Sequence, residues 1–492
     1  MGIIVAAVLL SCIWLVLSTV CRRFLTPPPT LPKNLPTIPF YYALLPLVKD
    51  IDQEQLYRKY LEKPLNKYGA VKIFFGGRWN ILITRPSYIS EVFKYEDIYA
   101  KSGNQKKIPS GVLAQYTGDN IISSHGENWK LYTSVIKPSL QQDYDEAQLY
   151  RNTRTLISKF LAEQTQSDNR SVMVVTLLQR YTLANLSQVL LGSDFETLER
   201  PDAPLSELQT LIKPKIFNPF FLNFPFLDRF KLRSREEARK LVQKFQQELC
   251  ATVRRGHQHK DCSLNVNSLG CRMITASESN LWTEQQFKHN MVSVFLAGHE
   301  NPQLLLTSMM FLLGEHTDIQ SRLRNDLMRL TEAEPSTALQ DVPFFTAAIY
   351  ETLRMYPPIS QLINRCTTGD VILGDDIHIP AGTYVGYNGF SSNRDQAFWG
   401  PSADEFRPER WGSTNEEINA LYRRANSKGA FISFHGGRRA CLGQKFAMFE
   451  ARVTMSEILR SVKWIVDPEW PRRMTSAGPL YARMLRLKFE KL

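Results

Sequence analysis

Residues 3–20, "IIVAAVLLSCIWLVLSTV", form an unbroken apolar run without a charge, and a helix needs roughly 20 such residues to cross a bilayer. Arg22 and Arg23 follow the run. A cleaved signal peptide places its basic residues before the run and a small-residue cleavage site after it. Neither mark is present, so the pattern predicts a single N-terminal membrane anchor over residues 1–24. The positive-inside rule then expects the rest of the chain on the cytoplasmic face. Six prolines crowd "TPPPTLPKNLPTIP", residues 26–39. Lacking amide donors and resisting helix, they predict a stiff extended linker over residues 25–40. The remainder, 41–492, shows no further linker and no internal repeat. Within it "YGAVKIFFGGRWNILIT" predicts two short strands turning at Gly76 and Gly77. From about 140 to 355 helical periodicity dominates, as in "EEARKLVQKFQQELCATVRR" and "TDIQSRLRNDLMRL". Between about 365 and 390 the texture returns to strands and turns, as in "VILGDDIHIPAGTYVGYN". The expected class is mainly α with small β-sheets.

Composition narrows this picture little. With 43% hydrophobic and 11% aromatic residues in 492, the chain can bury a large core. A formal charge of +12 suits an anionic membrane face or an acidic protein partner. Nucleic acid is not expected, because no Lys/Arg block interleaved with aromatics is present. Seven widely spaced cysteines without a CxxC or Cys/His zinc pattern argue against a disulfide framework and for a reducing compartment.

Four constellations carry candidate chemistry. "FHGGRRACLG" contains F-x-x-G-x-R-x-C-x-G as Phe434, Gly437, Arg439, Cys441 and Gly443. Five fixed positions at this composition recur by chance on the order of once in ten thousand such chains. An isolated cysteine is usually a buried thiol, but here each neighbour has a task if Cys441 binds a haem iron. The helix that follows offers amide dipoles to a thiolate. Gly437 permits the turn, Gly443 admits a flat ligand, and Arg439 can pair with a carboxylate of that ligand. The second constellation is Glu351 and Arg354 in "ETLR", and the third is Arg410 in "FRPERW", which can close a charged cluster with them. The fourth is "VSVFLAGHENPQLLL", where Gly298, His299, Glu300, Asn301 and Pro302 interrupt an apolar helix that proline should distort. A kinked core helix with satisfied polar groups is the competing reading, and His299 is the least apt ligand there.

In this order and spacing the four constellations resemble the cytochromes P450, across the body from about residue 35 to the C-terminus. The resemblance implies the P450 fold preceded by one transmembrane helix. It implies haem b with Cys441 as the metal ligand, and Arg439, Trp129 and Arg365 beside the propionates. Glu351, Arg354 and Arg410 take the place of the family's structural ionic cluster. Gly298, Glu300 and Asn301 lie where dioxygen is activated. Two positions depart from the family pattern. Thr133 replaces a propionate-binding arginine, with Lys130 as a candidate substitute. Asn301 stands where the family usually carries the threonine that helps deliver protons.

"KSGNQKKIP", "YTGDN", "PFFLNFPFLD", "AGHENPQLL" and "NRCTT" are further similar to the dityrosine-forming fungal branch of that family, the N-formyltyrosine oxidases of the spore wall. That likeness implies coupling of two phenols with O2 and electrons from an NADPH-cytochrome P450 reductase, at the endoplasmic reticulum membrane. Lys101, Lys106 or Lys107 is then a candidate contact to a substrate carboxylate. Arg438, Lys445, Arg423 and Arg424 are candidates to meet an acidic reductase. A membrane P450 hydroxylating a lipid or xenobiotic is the nearest alternative, and a non-catalytic haem-thiolate sensor the next.

Overall fold

The computed structural model describes residues 24–166, 171–258, 268–330, 336–476 and 478–492, with scattered positions between 8 and 19. The body is mainly helical. The helices that position the site are α1 (Glu127–Ser139), α2 (Glu146–Gln166), α3 (Val174–Asn185), α4 (Pro204–Ile216), α5 (Arg233–Arg255), α6 (Glu284–Glu315), α7 (Pro343–Met355) and α8 (Gln444–Ser461). At 32 residues and 1.5 Å per residue, α6 runs for about 48 Å. It starts at a capping box between Thr283 and Gln286 and packs on α3, α5, α7 and α8. Pro302 lies inside it. The helix continues through the proline because its surroundings enclose it, but Pro302 has no amide to return to the Gly298 carbonyl.

Strands β1 (Ala70–Phe75) and β2 (Arg78–Ile83) form the expected hairpin. Its two-residue turn needs positive φ at both positions, and Gly76 (61°) and Gly77 (77°) supply it. The sheet grows by β3 (Tyr99–Lys101), β5 (Gln361–Thr367) and β8 (Tyr384–Asn388) into the order β1-β2-β8-β5-β3. β2 and β8 pair in parallel and the other neighbours are antiparallel. A second sheet orders β4 (Val172–Met173), β10 (Arg486–Lys491) and β9 (Val462–Val466), and β6 (Val371–Leu373) pairs with β7 (Ile377–Ile379). The class is therefore the expected one.

Three features depart from expectation or limit it. The anchor run lies mostly outside the described residues, and no helix among the described residues is long and apolar enough to cross a membrane. The proline-rich stretch is neither the expected extended segment nor a free spacer: it turns at residues 29–30 and 33–34, and the Leu31 amide donates to the Pro28 carbonyl at 3.0 Å. Phe24 packs edge-on against Phe74 at 5.6 Å, and Leu31, Leu35 and Ile38 are buried. The Ile38 amide donates to the Lys72 carbonyl at 2.9 Å, so this segment borders β1. Finally, Cys12, Cys250, Cys366 and Cys441 are free, whereas Cys271 is disulfide-bonded; the sequence argues against a disulfide framework and does not single out this one bond.

Candidate active site

The loop from Phe431 to Gly443 turns sharply where His435 (φ 61°) and Gly437 (φ 63°) take left-handed backbone. A Cβ on Gly437 would approach the Phe93 carbonyl oxygen to 2.8 Å, so only glycine fits. The turn closes where the Cys441 amide donates to the Phe434 carbonyl at 2.8 Å, with the Phe434 ring anchored in the core. Burial pushes the Cys441 thiol up, while the amides of Gly443 and Gln444 donate toward the sulfur and counter it. The residue nevertheless has an open side. A sulfur cupped by amides on one side and open on the other is suited to lose its proton to a metal ion. Gly443 is informative in a different way. Its φ of −86° is ordinary, and an added Cβ would meet no atom within 4 Å except Cys441 Sγ at 4.0 Å. Neither backbone nor protein neighbours demand glycine there. The bare Cα borders the open side of the sulfur, where a flat group could lie.

Beside this loop lies a cluster of buried cations. Arg439 Nη1 sits 2.7 Å from Glu96 Oε1, and the guanidinium also donates to the carbonyls of Ser124, Ile121 and Ile122 at 3.0, 3.1 and 3.3 Å. Its Cζ lies 4.6 Å from the Trp129 ring centroid. Lys101 pairs with Arg365 across β3 and β5. Arg365 donates to the Tyr99 carbonyl at 3.0 Å, but its Nε has no hydrogen-bond partner among the described residues. Burial lowers Arg365 to about 10, with Arg439 adding to the effect and Glu96 opposing it. Burial, Arg365 and Arg439 also push Lys101 well down. His435 completes the group, with its ring stacked on Phe93 at 3.8 Å and its Nε2 3.5 Å from Arg365. Lys101, Arg365 and Arg439 thus face one carboxylate, Glu96. Buried charge without a counterion is costly, and the excess suits a ligand that brings two carboxylates.

The structure brings Trp129, Arg365 and Arg439 together as expected. It adds Lys101, Glu96 and His435, which sequence reasoning missed or placed elsewhere. It does not support Lys130 as a substitute at the lost contact. That ammonium is exposed and paired with Glu127 at 2.7 Å, while the Thr133 hydroxyl is enclosed without a partner among the described residues.

Glu351 is the hub of the ionic cluster. Its Oε1 accepts from Arg354 Nη2 (2.9 Å), Arg410 Nε (2.8 Å) and the Arg407 amide (2.9 Å). Its Oε2 accepts from Arg354 Nε (2.8 Å) and Trp411 Nε1 (2.9 Å). Burial alone would raise this carboxyl, but Arg354 and Arg410 outweigh it and the pKa falls. Arg354 also donates to the Asn393 carbonyl at 3.0 Å. The Asn393 side chain in turn donates to Ser433 Oγ at 2.9 Å and accepts from the Ile432 amide at 3.0 Å. The cluster therefore supports the loop that carries Cys441.

On α6, Leu296, Ala297, Gly298, Glu300 and Asn301 are half-buried within a helix otherwise largely enclosed. The bare face of Gly298 packs on Leu186, where a Cβ would come within 2.6 Å. His299 is buried, with Nε2 2.7 Å from Gln209, and burial lowers it to about 4. It is a core histidine, as expected. Glu300 pairs with Lys213 of α4 at 2.7 Å. Asn301 Nδ2 reaches back to the Ala297 carbonyl at 3.5 Å, leaving Oδ1 as an acceptor.

The cytochrome P450 family model matches residues 32–487. The chain is a cytochrome P450. It is 42% identical over 480 residues to cytochrome P450-DIT2 of Saccharomyces cerevisiae, covering 97% of each chain. It is 41% identical over 453 residues to cytochrome P450 monooxygenase xanG of Aspergillus fumigatus, covering 90% of this chain and 84% of the relative. Membership makes it a haem-thiolate oxidoreductase that uses dioxygen and an electron donor. The residues present fit a haem: an open, amide-cupped sulfur, a glycine with only that sulfur near its bare side, and cations in excess.

Proposed function

We propose that this P450 couples two N-formyltyrosine molecules through their phenol rings to bisformyl dityrosine, a building block of a fungal spore wall. The supporting observation is where the branch-specific stretches meet. "KSGNQKKIP" and "YTGDN" lie beside "PFFLNFPFLD": the Val112 amide between them donates to Asp228 Oδ2 at 3.1 Å. The Ile121 amide, next to "YTGDN", donates to Asn290 of α6 at 2.9 Å, and α6 carries "AGHENPQLL". Stretches far apart in sequence thus converge on and beside α6.

Cys441 would hold the haem iron and Lys101, Arg365, Arg439 and Trp129 its propionates. The bound haem supplies activation of dioxygen for one-electron oxidation of phenols. Balance requires one dioxygen, two electrons and two protons from the reductase side, and one hydrogen atom from each of two phenols, giving two waters and one carbon–carbon bond. The work of the protein is to hold two phenols close together. Asn301 Oδ1 and the freed Gly298 carbonyl offer acceptors for an ordering water where the family uses a threonine hydroxyl. Glu300, tied to Lys213, is the nearest acid. The exposed Arg438, Arg423, Arg424 and Lys445 would meet an acidic NADPH-cytochrome P450 reductase. Residues 3–20, with Arg22 and Arg23 behind them, would anchor the enzyme in the endoplasmic reticulum with its body in the cytoplasm. Protease protection of microsomes tests that placement, and loss of the body's protection-independent cleavage would overturn it.

The test of function is turnover of N-formyltyrosine by the purified enzyme with reductase and NADPH. A fluorescent bisformyl dityrosine product is expected. A hydroxylated monomer, or NADPH oxidation without product, overturns coupling. Hydroxylation is the second reading, favoured by the nearly equal identity to a relative named as a monooxygenase.

A further inference from the structure

The three lysines of "KSGNQKK" part company in the fold. Lys101 joins the cation cluster, and Lys106 is exposed. Lys107 is buried at the end of the helical turn Asn104–Lys107. Its ammonium has one hydrogen bond among the described residues, a long one of 3.4 Å to the Ile363 carbonyl. The rings of Phe75 and Tyr384 flank it at 5.2 and 5.2 Å, and a Cβ on Gly76 would lie 3.3 Å from Nζ. Arg78 stacks on the Tyr384 ring at 4.7 Å and donates to the Lys107 carbonyl at 2.5 Å.

Buried cations are normally paired. Arg235 obeys the rule, with Asp228 oxygens at 2.5 and 3.2 Å. Lys107 breaks it, for the groups facing it are Arg78 of β2, Tyr384 of β8, the Phe75 ring of β1 and the Ile363 carbonyl of β5, with no carboxylate ion pair among the described residues. Phe75 and Arg78 are exposed at the rim while Lys107 and Tyr384 are enclosed behind them. Pro225, from the branch-specific "PFFLNFPFLD", closes over Gly77, where a Cβ would meet its ring at 2.6 Å.

We propose that Lys107, with Arg78 at the rim, is a subsite for the carboxylate of an acylated aromatic amino acid, holding that end so that the phenol enters first. The identity of the amino acid rests on the coupling reading; the carboxylate subsite does not. Burial, with Arg78 adding to it, lowers the ammonium to about 7. Carboxylate binding is therefore coupled to proton uptake. Affinity is full below that pH and falls by up to about tenfold per pH unit above it.

The holoenzyme is titrated with N-formyltyrosine and with N-formyltyramine, which lacks the carboxylate, following the Soret band. The wild type should favour the acid, most strongly below neutral pH. Lys107→Met should weaken the acid about tenfold or more and leave N-formyltyramine within twofold, and Lys107→Arg should restore part of the preference. Equal losses for both ligands, or no loss, overturn the subsite. If the wild type ignores N-formyltyrosine altogether, the coupling reading fails and the subsite is judged separately. Reductive methylation of Lys107, read by mass spectrometry across pH with and without 4-hydroxyphenylpropionate, then decides. Protection and a raised apparent pKa support the subsite, and an unchanged profile overturns it.

Discussion

Glu351→Gln tests whether the ionic cluster is what holds the cysteine loop. Five donors converge on the Glu351 carboxylate. An amide in its place has one acceptor oxygen, so its NH2 must face at least the two donors now on Oε2, Arg354 Nε and Trp411 Nε1. Two buried donors left unsatisfied cost about 1–3 kcal/mol each. The measured range for breaking a buried ion pair, about 3–5 kcal/mol, reaches the same scale from the charge alone. Either figure is a large part of a total stability of about 5–15 kcal/mol. Arg354 and Asn393 connect the cluster to Ile432 and Ser433, so the loss should reach the Cys441 loop. The variant should unfold at lower urea and contain less haem, read as a smaller Soret band of the reduced carbon monoxide complex. The pH dependence has a defined sign. The pKa of Glu351 is depressed on folding, so its contribution is present above its unfolded value of about 4.3 and is lost as pH falls through the folded value. Wild type should therefore lose stability in acid more steeply than the variant. A variant with full haem content and a loss below about 1 kcal/mol would refute this account.

The two loop glycines should separate. Gly437→Ala should destabilise the folded protein by about 1–2 kcal/mol or more through its left-handed backbone and the Phe93 carbonyl, whereas Gly443→Ala should leave apoprotein unfolding unchanged while haem retention falls. Lys101→Met removes a buried ammonium that shares one nearby carboxylate, Glu96, with Arg365 and Arg439. It should not destabilise the apoprotein and should speed haem loss to an acceptor protein; because burial depresses this lysine, wild-type apoprotein should gain stability as pH rises toward about 10.4 and the variant should not. Removing residues 1–23 should leave the unfolding midpoint of the body unchanged, but removing 1–40 should lower it, since Leu31, Leu35 and Ile38 each bury side chains worth about 1.5–3 kcal/mol.

Local determinants were legible in the sequence. The β1–β2 hairpin is written in alternation and two turn glycines, α5 in its periodicity, and the Glu351–Arg354 pair in its i,i+3 spacing. Each needs only neighbours along the chain. Where neighbours across the fold decide, the pattern misled. Six prolines speak for a detached spacer, yet apolar residues between them dock on β1. Pro302 speaks for a distorted helix, and packing on four other helices keeps α6 continuous through it. The bond at Cys271 has no signature in spacing.

The same division runs through the site. The cysteine loop was readable because its requirements, a positive φ and an amide-cupped sulfur, are met within ten residues. The cation cluster was not. Lys101 and Arg365 meet only because β3 pairs with β5, and Glu96 meets Arg439 only because the loop returns to the Phe93 carbonyl. Without that pairing the lysines of "KSGNQKK" are equivalent, and any of them could meet a substrate. Strand register breaks the equivalence at Lys101 by setting it opposite Arg365, and the helical turn Asn104–Lys107 that follows leaves Lys106 in solvent and buries Lys107 between aromatic rings without a carboxylate. The likeness to other P450s identifies the reaction class, while the proposed carboxylate subsite rests on which lysine is left unpaired.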